Sequence, residues 1–127
     1  MTINFSQFLV DGVESQQSYS EKVGTPGPKD KLSNDARHKL VIEYIGHLIE
    51  EAVEARFLVP RRSWKVNEAS YLDSENLRQE FCYELTDILL FFRAILAYSG
   101  ISVPEFEQAF NKKLNYNKQR KDHKVNQ

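Results

Sequence analysis

The stretch Glu80-Phe-Cys-Tyr-Glu84-Leu-Thr-Asp87-Ile-Leu-Leu-Phe-Phe92 lies in the middle of a predicted helix that runs from about Ser74 to Tyr98. Apolar residues recur in it every three or four positions, as they do on the buried face of a helix. That face comprises Phe81, Leu85, Ile88, Leu89, Phe92, Ile95 and Leu96. Leu90 and Phe91 add apolar surface on other sides, so the pattern predicts the central core helix of the fold.

Two carboxylates, Glu84 and Asp87, interrupt this apolar helix. Because they are three residues apart, they lie one turn from each other on the same side. An unpaired carboxylate in apolar surroundings is costly, and two like charges at this spacing repel each other. A bound divalent cation would offset both costs. The alternative is that both side chains reach solvent along a polar seam.

A second acidic group lies upstream, in His47-Leu-Ile-Glu50-Glu51-Ala-Val-Glu54, on a helix predicted from about Asn34 to Phe57. The apolar stripe of that helix is formed by Leu40, Val41, Tyr44, Ile45, Leu48, Ile49 and Ala52. Glu51 borders the stripe, and Glu54 follows one turn later on the same edge. Antiparallel packing of the two helices would therefore bring four carboxylates together: Glu51, Glu54, Glu84 and Asp87.

Such a cluster favours a hard cation. Mg²⁺ prefers carboxylate and water oxygens and often stays bound to the phosphates of a substrate. The chain has one cysteine and three scattered histidines, so no zinc or thiolate site competes with this interpretation.

Composition limits the remaining classes of function. The 127 residues are 41% hydrophobic and 28% charged, as expected for one globular domain spanning residues 1–127. The net charge of −1 gives no general attraction to nucleic acid or to membranes. The lone Cys82 and the absence of a signal-like stretch in Met1–Val10 lead us to expect a cytoplasmic protein without membrane spans.

Caps and turns complete an all-α, four-helix bundle-like prediction. A short first helix is expected over residues 4–19, and a loop over residues 20–33; these form an N-terminal portion ahead of the helices of residues 34–121. Ser33 or Asn34 begins the second helix, and Pro60 ends it. Asp73 or Ser74 begins the third helix, and Gly100 ends it.

Ser102-Val-Pro-Glu105 resembles a capping box for a last helix whose buried side is Phe106, Ala109, Phe110 and Leu114. That helix reaches about Lys121, and a polar tail of residues 122–127 follows.

Three polar groups are candidates for contacts with a ligand. Gln16 and Gln17 carry amides that suit the edge of a nucleobase, although both also fit a solvated surface. Arg61-Arg62-Ser-Trp64-Lys65 combines cations with an indole, which suits phosphates beside an aromatic plate or else a plain surface connector. The last helix presents one stripe of donors, which is either a phosphate-binding stripe or a solvated face: Lys113, Asn117 and Arg120.

The order and spacing of these motifs resemble those of the all-α nucleoside triphosphate pyrophosphohydrolases, which include the dimeric dUTPases, the MazG proteins and the dCTP pyrophosphatases. Glu50-Glu51-x-x-Glu54 is similar to their EExxE motif, and Glu84-Leu-x-Asp87 to their second acidic motif. The segment from Pro60 to Lys65 and the run Phe110-x-x-Lys113-x-x-x-Asn117-x-x-Arg120 are similar to the dimeric dUTPase branch. The resemblance covers roughly residues 38–121.

This resemblance implies a Mg²⁺-dependent enzyme, with Mn²⁺ as a possible substitute, that splits a nucleoside triphosphate into the monophosphate and pyrophosphate. The implied substrate is dUTP or another pyrimidine deoxynucleotide. Water would attack the α-phosphorus, with Glu51, or less favourably Glu50, orienting it. The implied metal ligands are Glu51, Glu54, Glu84 and Asp87. The implied substrate contacts are Lys65, Lys113 and Arg120 to phosphates, Asn117 to sugar or phosphate, and Trp64 near the base or sugar. Arg62 is a further candidate for substrate binding, and Gln16 and Gln17, which lie outside the resemblance, are further candidates because of their amides.

The apolar surface of the central helix predicts a homodimer or a higher homo-oligomer, with Leu90, Phe91 and Tyr98 facing the partner. Two alternatives remain open at this point. One is a broad-specificity, MazG-type enzyme that clears several nucleotides. The other is a helical interaction module without catalysis, in which the carboxylates are surface charge.

Overall fold

The computed structural model describes residues 2–61 and 70–125, with side chains as far as residue 120. Within those ranges the chain is all-α and contains no strand. Four helices follow one another: α1 (Phe5–Val23), α2 (Asn34–Arg56), α3 (Glu75–Ser99) and α4 (Val103–Val125). The predicted all-α class is thus confirmed for the described part of the chain.

Local capping chemistry sets most of the helix ends at the predicted places. The hydroxyls of Ser33, Ser74 and Ser102 each accept a hydrogen bond from the backbone N–H three residues later, at 3.1–3.2 Å. These bonds satisfy N–H groups that have no partner inside the helix. Gly100 ends α3 in the left-handed conformation at φ 83°, which glycine adopts without a steric cost.

α1 is longer than predicted. The loop was expected to begin at Ser20, but the helix continues to Val23 and ends at Gly24, at φ 75°. Ser20 is fully buried, and its hydroxyl forms a 2.9 Å hydrogen bond with the phenol of Tyr98. This tertiary contact outweighs the local tendency of serine to open a turn.

The end of α2 agrees with the prediction within one residue, whereas the end of α4 is wrong by about a turn. α2 ends at Arg56, beside the predicted Phe57 and before Pro60, because the N–H groups of Leu58 and Val59 bond to carbonyls three residues back, at 3.1 Å. Such tight turns end a helix before the proline is reached. α4 continues past the predicted end near Lys121 and reaches Val125.

α2 and α3 pack antiparallel and form the centre of the fold. In the middle of α2, the ring of Tyr44 stacks on that of Tyr98, near the end of α3, with centroids 5.3 Å apart. One turn along, the ring of Phe91 lies 5.4 Å from the imidazole of His47. At the other end, Tyr71 precedes α3 and donates its N–H to the carbonyl of Leu58, at 2.7 Å.

α1 covers the C-terminal half of α3, and α4 packs on α1 and touches α3 near its own start. The guanidinium of Arg93 lies 4.7 Å above the ring of Phe8, and a Cβ at Gly12 would meet the Arg93 side chain at 2.8 Å. Glycine at position 12 therefore allows α1 to lie close to α3. α4 contacts α3 through the rings of Phe106 and Phe92, whose centroids are 5.4 Å apart.

Hydrogen bonds tie the loop of residues 24–33 to this framework. Tyr98 donates its hydroxyl to the carbonyl of Pro26 at 2.8 Å. The amide of Gln17 donates to Asp30 at 3.1 Å and accepts from the backbone N–H of Lys29 at 2.8 Å. Gln17 thus holds the loop to α1, and Tyr98 holds it to α3.

Several apolar residues that were predicted to be buried are exposed within the chain. On α3, Leu85 and Leu89 are 44% and 51% exposed. Exposure also extends to predicted core residues of α2 and α4, namely Ile45, Ile49, Ala52, Ala109, Phe110 and Leu114. The residues expected to face a partner were partly misassigned, because Tyr98 is 1% exposed and lies inside the fold.

None of the described helices is by itself long and apolar enough to cross a bilayer. α3 and residues 103–120 of α4 meet that test of length and composition only as a pair, across a bend of 119°.

We predict that Tyr98→Phe lowers the free energy of unfolding by about 1–3 kcal/mol, because Ser20, Gln16 and the carbonyl of Pro26 each lose a hydrogen-bond partner. The matched control is Tyr83→Phe on the same helix. Tyr83 is 60% exposed and accepts one bond from Gln79, so we expect a change within about 0.5 kcal/mol. Urea unfolding measures both, and equal effects would contradict the assigned role of Tyr98.

Candidate functional site

Three carboxylates meet where the middle of α3 packs on the last turns of α2. Glu51, Glu54 and Glu84 each place one carboxylate oxygen within 4.8 Å of the others. Glu51 and Glu54 are one turn apart on α2, and antiparallel packing sets Glu84 of α3 against them. The convergence expected from the sequence is therefore found for three of the four acidic residues.

Two oxygens in this cluster have no hydrogen-bond partner among the described residues. They are Oε2 of Glu51 and Oε2 of Glu84, and both are shielded from solvent. A buried oxygen without a donor loses its hydration and gains nothing in return, which costs about 1–3 kcal/mol and more when it is charged. A hydrogen-bond donor or a cation would offset this cost.

Close contact among these carboxylates raises the pKa of two of them, Glu54 and Glu84. A hydrogen bond with Glu51, followed by burial, raises the pKa of Glu84 above its ordinary value. The pKa of Glu54 is raised by a hydrogen bond with Glu84 and then by the charge of Glu84. Without a cation, Glu54 and Glu84 therefore bind protons more tightly than isolated glutamates do.

Asp87 lies beside the cluster rather than inside it. It does not belong to the group whose oxygens are all within 4.8 Å. Its negative charge nevertheless helps to raise the pKa of both Glu54 and Glu84. Asp87 also lines a neighbouring cleft, so it connects the cluster to that space.

The donor set suits a hard divalent cation. Glu51, Glu54 and Glu84 offer oxygen ligands only, and the two unpartnered oxygens would gain a partner in the ion. Oxygen ligands on few side chains are typical of Mg²⁺, which keeps waters or substrate oxygens in its other positions.

Glu50, the second candidate for orienting a water, is directed elsewhere. Its side chain is 73% exposed, and its Oε2 lies 3.8 Å from Nδ1 of His47. Glu51 is the acidic residue of this pair that reaches the cluster.

The cleft beside Asp87 has a volume of about 300 Å³, at the lower end of the range for small-molecule sites. α1, α2 and α3 all contribute to its walls. Gln16, Tyr44, Asp87 and Phe91 are among the side chains that line it. Gln16 donates its amide to the phenol of Tyr44 at 2.8 Å, and its carbonyl oxygen forms no hydrogen bond within the described chain.

Sequence reasoning named Gln16 for such a role and missed Tyr44 and Phe91. Tyr44 was assigned to the core, and Phe91 to a surface covered by a partner. A hydroxyl within an apolar stripe was the available signal for Tyr44, because a buried tyrosine needs a hydrogen-bond partner.

Gln17 lies outside the lining of this cleft, and its amide bonds to Asp30 and to the backbone of Lys29. Its observed contacts hold the 24–33 loop.

The donor stripe on α4 is exposed along its whole length, and its members are Lys113, Asn117 and Arg120. In the described part of the chain, no hydrogen bond or ion pair joins these side chains to the carboxylates. The predicted contacts at Arg62, Trp64 and Lys65 lie outside the described residues.

We predict that, without metal, the contribution of Glu54 and Glu84 to thermal stability falls as pH rises above the ordinary glutamate pKa. Between the ordinary glutamate pKa of about 4.3 and the raised folded values, the folded chain binds more protons than the unfolded chain. The stabilisation from these two groups is complete below about pH 4.3 and is lost as pH rises through the folded pKa values.

Melting temperatures measured in EDTA across a pH series test this prediction. Glu84→Gln should flatten the fall, because it removes one of the repelling charges. The matched control Glu43→Gln, at an exposed position on α2, should leave the fall unchanged. Identical profiles for Glu84→Gln and the unmutated protein would contradict the charge coupling.

Comparisons with known proteins identified no relative. Neither protein-family models, nor curated proteins, nor solved structures gave a match to this chain.

Proposed function

We propose that the chain is a Mg²⁺-dependent nucleoside triphosphate pyrophosphohydrolase of the all-α type, acting on dUTP or another pyrimidine deoxynucleoside triphosphate. The observation that carries the proposal is the convergence of Glu51, Glu54 and Glu84 with two buried, unpartnered oxygens. The order of acidic and basic motifs in the sequence supports it independently.

Glu51, Glu54 and Glu84 would hold the cation, and Asp87 lies close enough to add negative charge. When bound, Mg²⁺ neutralises negative charge that builds up on the phosphates during transfer. The chain's own contribution is to fix several carboxylates on two packed helices, so that little rearrangement is needed at the moment of reaction.

Glu51 is the residue we assign to the attacking water. It is half-buried at the cluster, and one of its oxygens is shielded from solvent. A carboxylate in that position orients water and accepts its proton as the oxygen bonds to the α-phosphorus. The bond between the α-phosphorus and the bridging oxygen then breaks, which releases pyrophosphate and the nucleoside monophosphate.

The cleft next to Asp87 is the site we assign to the base and the sugar. Its aromatic walls, Tyr44 and Phe91, suit a flat ring, and the amide of Gln16 supplies polar atoms for the edge of a base. The cleft and the carboxylate cluster share Asp87 as a neighbour. A nucleotide could therefore place its base in the cleft and its phosphates at the cluster.

We predict that Glu84→Gln abolishes pyrophosphate release, with a loss of at least about 100-fold in kcat/KM. The amide is nearly the same size as the carboxylate but removes a negative ligand. Glu43→Gln is the matched control and should retain the activity. The assay follows pyrophosphate from a panel of NTPs and dNTPs, in Mg²⁺, in Mn²⁺ and in EDTA.

The panel also separates the alternatives. Metal-dependent release concentrated on dUTP or dCTP supports the proposal. Release spread evenly over many nucleotides would replace the substrate assignment with a broad-specificity enzyme. If no nucleotide releases pyrophosphate in either metal, the proposal of enzymatic activity is contradicted.

We predict that Gln16→Leu reduces the preference for the best nucleotide over its competitors by about tenfold or more, because a polar contact with the base edge is lost. The readout is a ratio of kcat/KM values, which does not depend on the fraction of folded protein. Gln17→Leu is the matched control: it loosens the 24–33 loop and should leave the ratio unchanged. An unchanged ratio in Gln16→Leu would contradict the proposed contact between Gln16 and the base.

A further inference from the structure

A chain of hydrogen bonds leads from the buried phenol of Tyr98 to the cleft beside Asp87. Tyr98 is 1% exposed, and its hydroxyl donates to the carbonyl of Pro26 at 2.8 Å. A carbonyl oxygen can only accept, so this bond uses the single hydrogen of the phenol. Towards its other neighbours, Tyr98 therefore acts only as an acceptor. Ser20, whose hydroxyl lies 2.9 Å away, is the donor in the bond between the two hydroxyls.

Gln16 continues this chain of bonds into the cleft. Its amide nitrogen Nε2 donates to the hydroxyl of Tyr98 at 3.3 Å and to that of Tyr44 at 2.8 Å. An amide nitrogen carries two hydrogens, so these two bonds use both. If the amide were reversed, its oxygen would face a Tyr98 oxygen that has no hydrogen to offer, and one bond would be lost. The bonds of Tyr98 therefore determine which way the amide of Gln16 faces.

Two polar atoms of this network are left for a ligand. Oε1 of Gln16 forms no hydrogen bond within the described chain and is not shielded from solvent. The hydroxyl of Tyr44 accepts from Gln16, and its own hydrogen has no acceptor among the described residues. Burial raises the pKa of Tyr44, so the hydroxyl keeps that hydrogen at neutral pH. Both residues line the cleft, which therefore offers one acceptor beside one donor.

We infer that Tyr98 is a positioning residue that holds the Gln16 amide with Oε1 toward the cleft, and that this polarity selects uracil over cytosine. In uracil, N3–H lies between two carbonyl groups. It can donate to Gln16 while either carbonyl accepts from Tyr44, so uracil fits whichever way round it lies. In cytosine, N3 carries a lone pair, and the same contacts need N4–H and N3 in one orientation only.

The two bases are nearly the same size and shape, so packing alone separates them poorly. They differ in where the ring edge carries donors and acceptors. A site that fixes its own donor and acceptor leaves polar groups unpaired with the wrong base, which is the stronger means of discrimination. The direction of one amide is therefore enough to set the preference.

Loss of the Tyr98 hydroxyl removes this control. In Tyr98→Phe, only Tyr44 holds the amide of Gln16, and a phenol can either accept from Nε2 or donate to Oε1. The second arrangement presents a donor at Gln16 and an acceptor at Tyr44, which complements N3 and N4–H of cytosine. Both directions of the amide are then populated, and the site no longer favours one base.

Ser20→Ala is the matched control for Tyr98→Phe. It removes a buried hydrogen bond at the same phenol, so it also lowers the stability of the fold. It leaves the bond from Tyr98 to Pro26 in place, however, and with it the direction of the Gln16 amide. A purely structural role of Tyr98 predicts the same behaviour for the two variants, whereas the inferred role predicts different behaviour.

The direction of the amide can be measured in the protein without nucleotide, by NMR of the side-chain NH₂ group of Gln16. Because both hydrogens are bonded to phenols, we expect Tyr98→Phe to speed their exchange with water by about tenfold or more. Ser20→Ala should leave the exchange rate close to that of the unmutated protein. Equal exchange in Tyr98→Phe and the unmutated protein, or equally faster exchange in both variants, would overturn the inference.

The selectivity rests on the proposed function, and the ratio of kcat/KM for dUTP to that for dCTP tests it. We expect a ratio of about ten or more for the unmutated protein and for Ser20→Ala, and a ratio near one for Tyr98→Phe. This ratio does not depend on the fraction of folded protein. A preference for dCTP in the unmutated protein, or an unchanged ratio in Tyr98→Phe, would contradict the selection of uracil. If neither nucleotide is hydrolysed, the proposed function fails, and the exchange rates still decide the role of Tyr98.

Discussion

The packing of α2 against α3 holds like charges together, and this constraint organises the rest of the site. Glu51, Glu54 and Glu84 project from two packed helices, which brings one carboxylate oxygen of each within 4.8 Å of the others. The raised pKa values of Glu54 and Glu84 are the direct result of that confinement. Such close contact of carboxylates costs free energy in the absence of a cation, and the proposed cation site would offset that cost.

Hydrogen bonds of Tyr98 position the parts of the chain that lie next to the carboxylate cluster. The phenol joins α3 to Ser20 and Gln16 of α1 and to the carbonyl of Pro26 in the following loop. By fixing α1 across the helix pair, these bonds form the cleft that opens beside Asp87. These hydrogen bonds of Tyr98 therefore stabilise the fold and also position the walls of the cleft.

Much of the framework could be predicted from the sequence, because local chemistry determines it. Serine caps and Gly100 marked four of the eight helix ends, and the spacing of Glu51, Glu54 and Glu84 indicated the cluster. The boundary between α1 and the 24–33 loop could not be predicted in this way, since the buried hydrogen bond between Ser20 and Tyr98 joins residues far apart in the chain. Helical periodicity marked Leu85 and Leu89 as a face to be covered, but it does not say whether the same chain or another covers that face. The contacts of Gln17 with the 24–33 loop could not be predicted either, because the sequence does not indicate which groups an amide side chain will bind.

The claim at the centre of this account is that the carboxylate cluster binds a divalent cation. Titration with Mn²⁺, followed by its paramagnetic resonance signal in the presence of the non-hydrolysable α,β-imido analogue of dUTP, tests this claim most directly. We predict saturable binding to the unmutated protein, its loss in Glu84→Gln and its retention in Glu43→Gln. Absence of saturable binding to the unmutated protein, or equal binding to Glu84→Gln, would contradict the account.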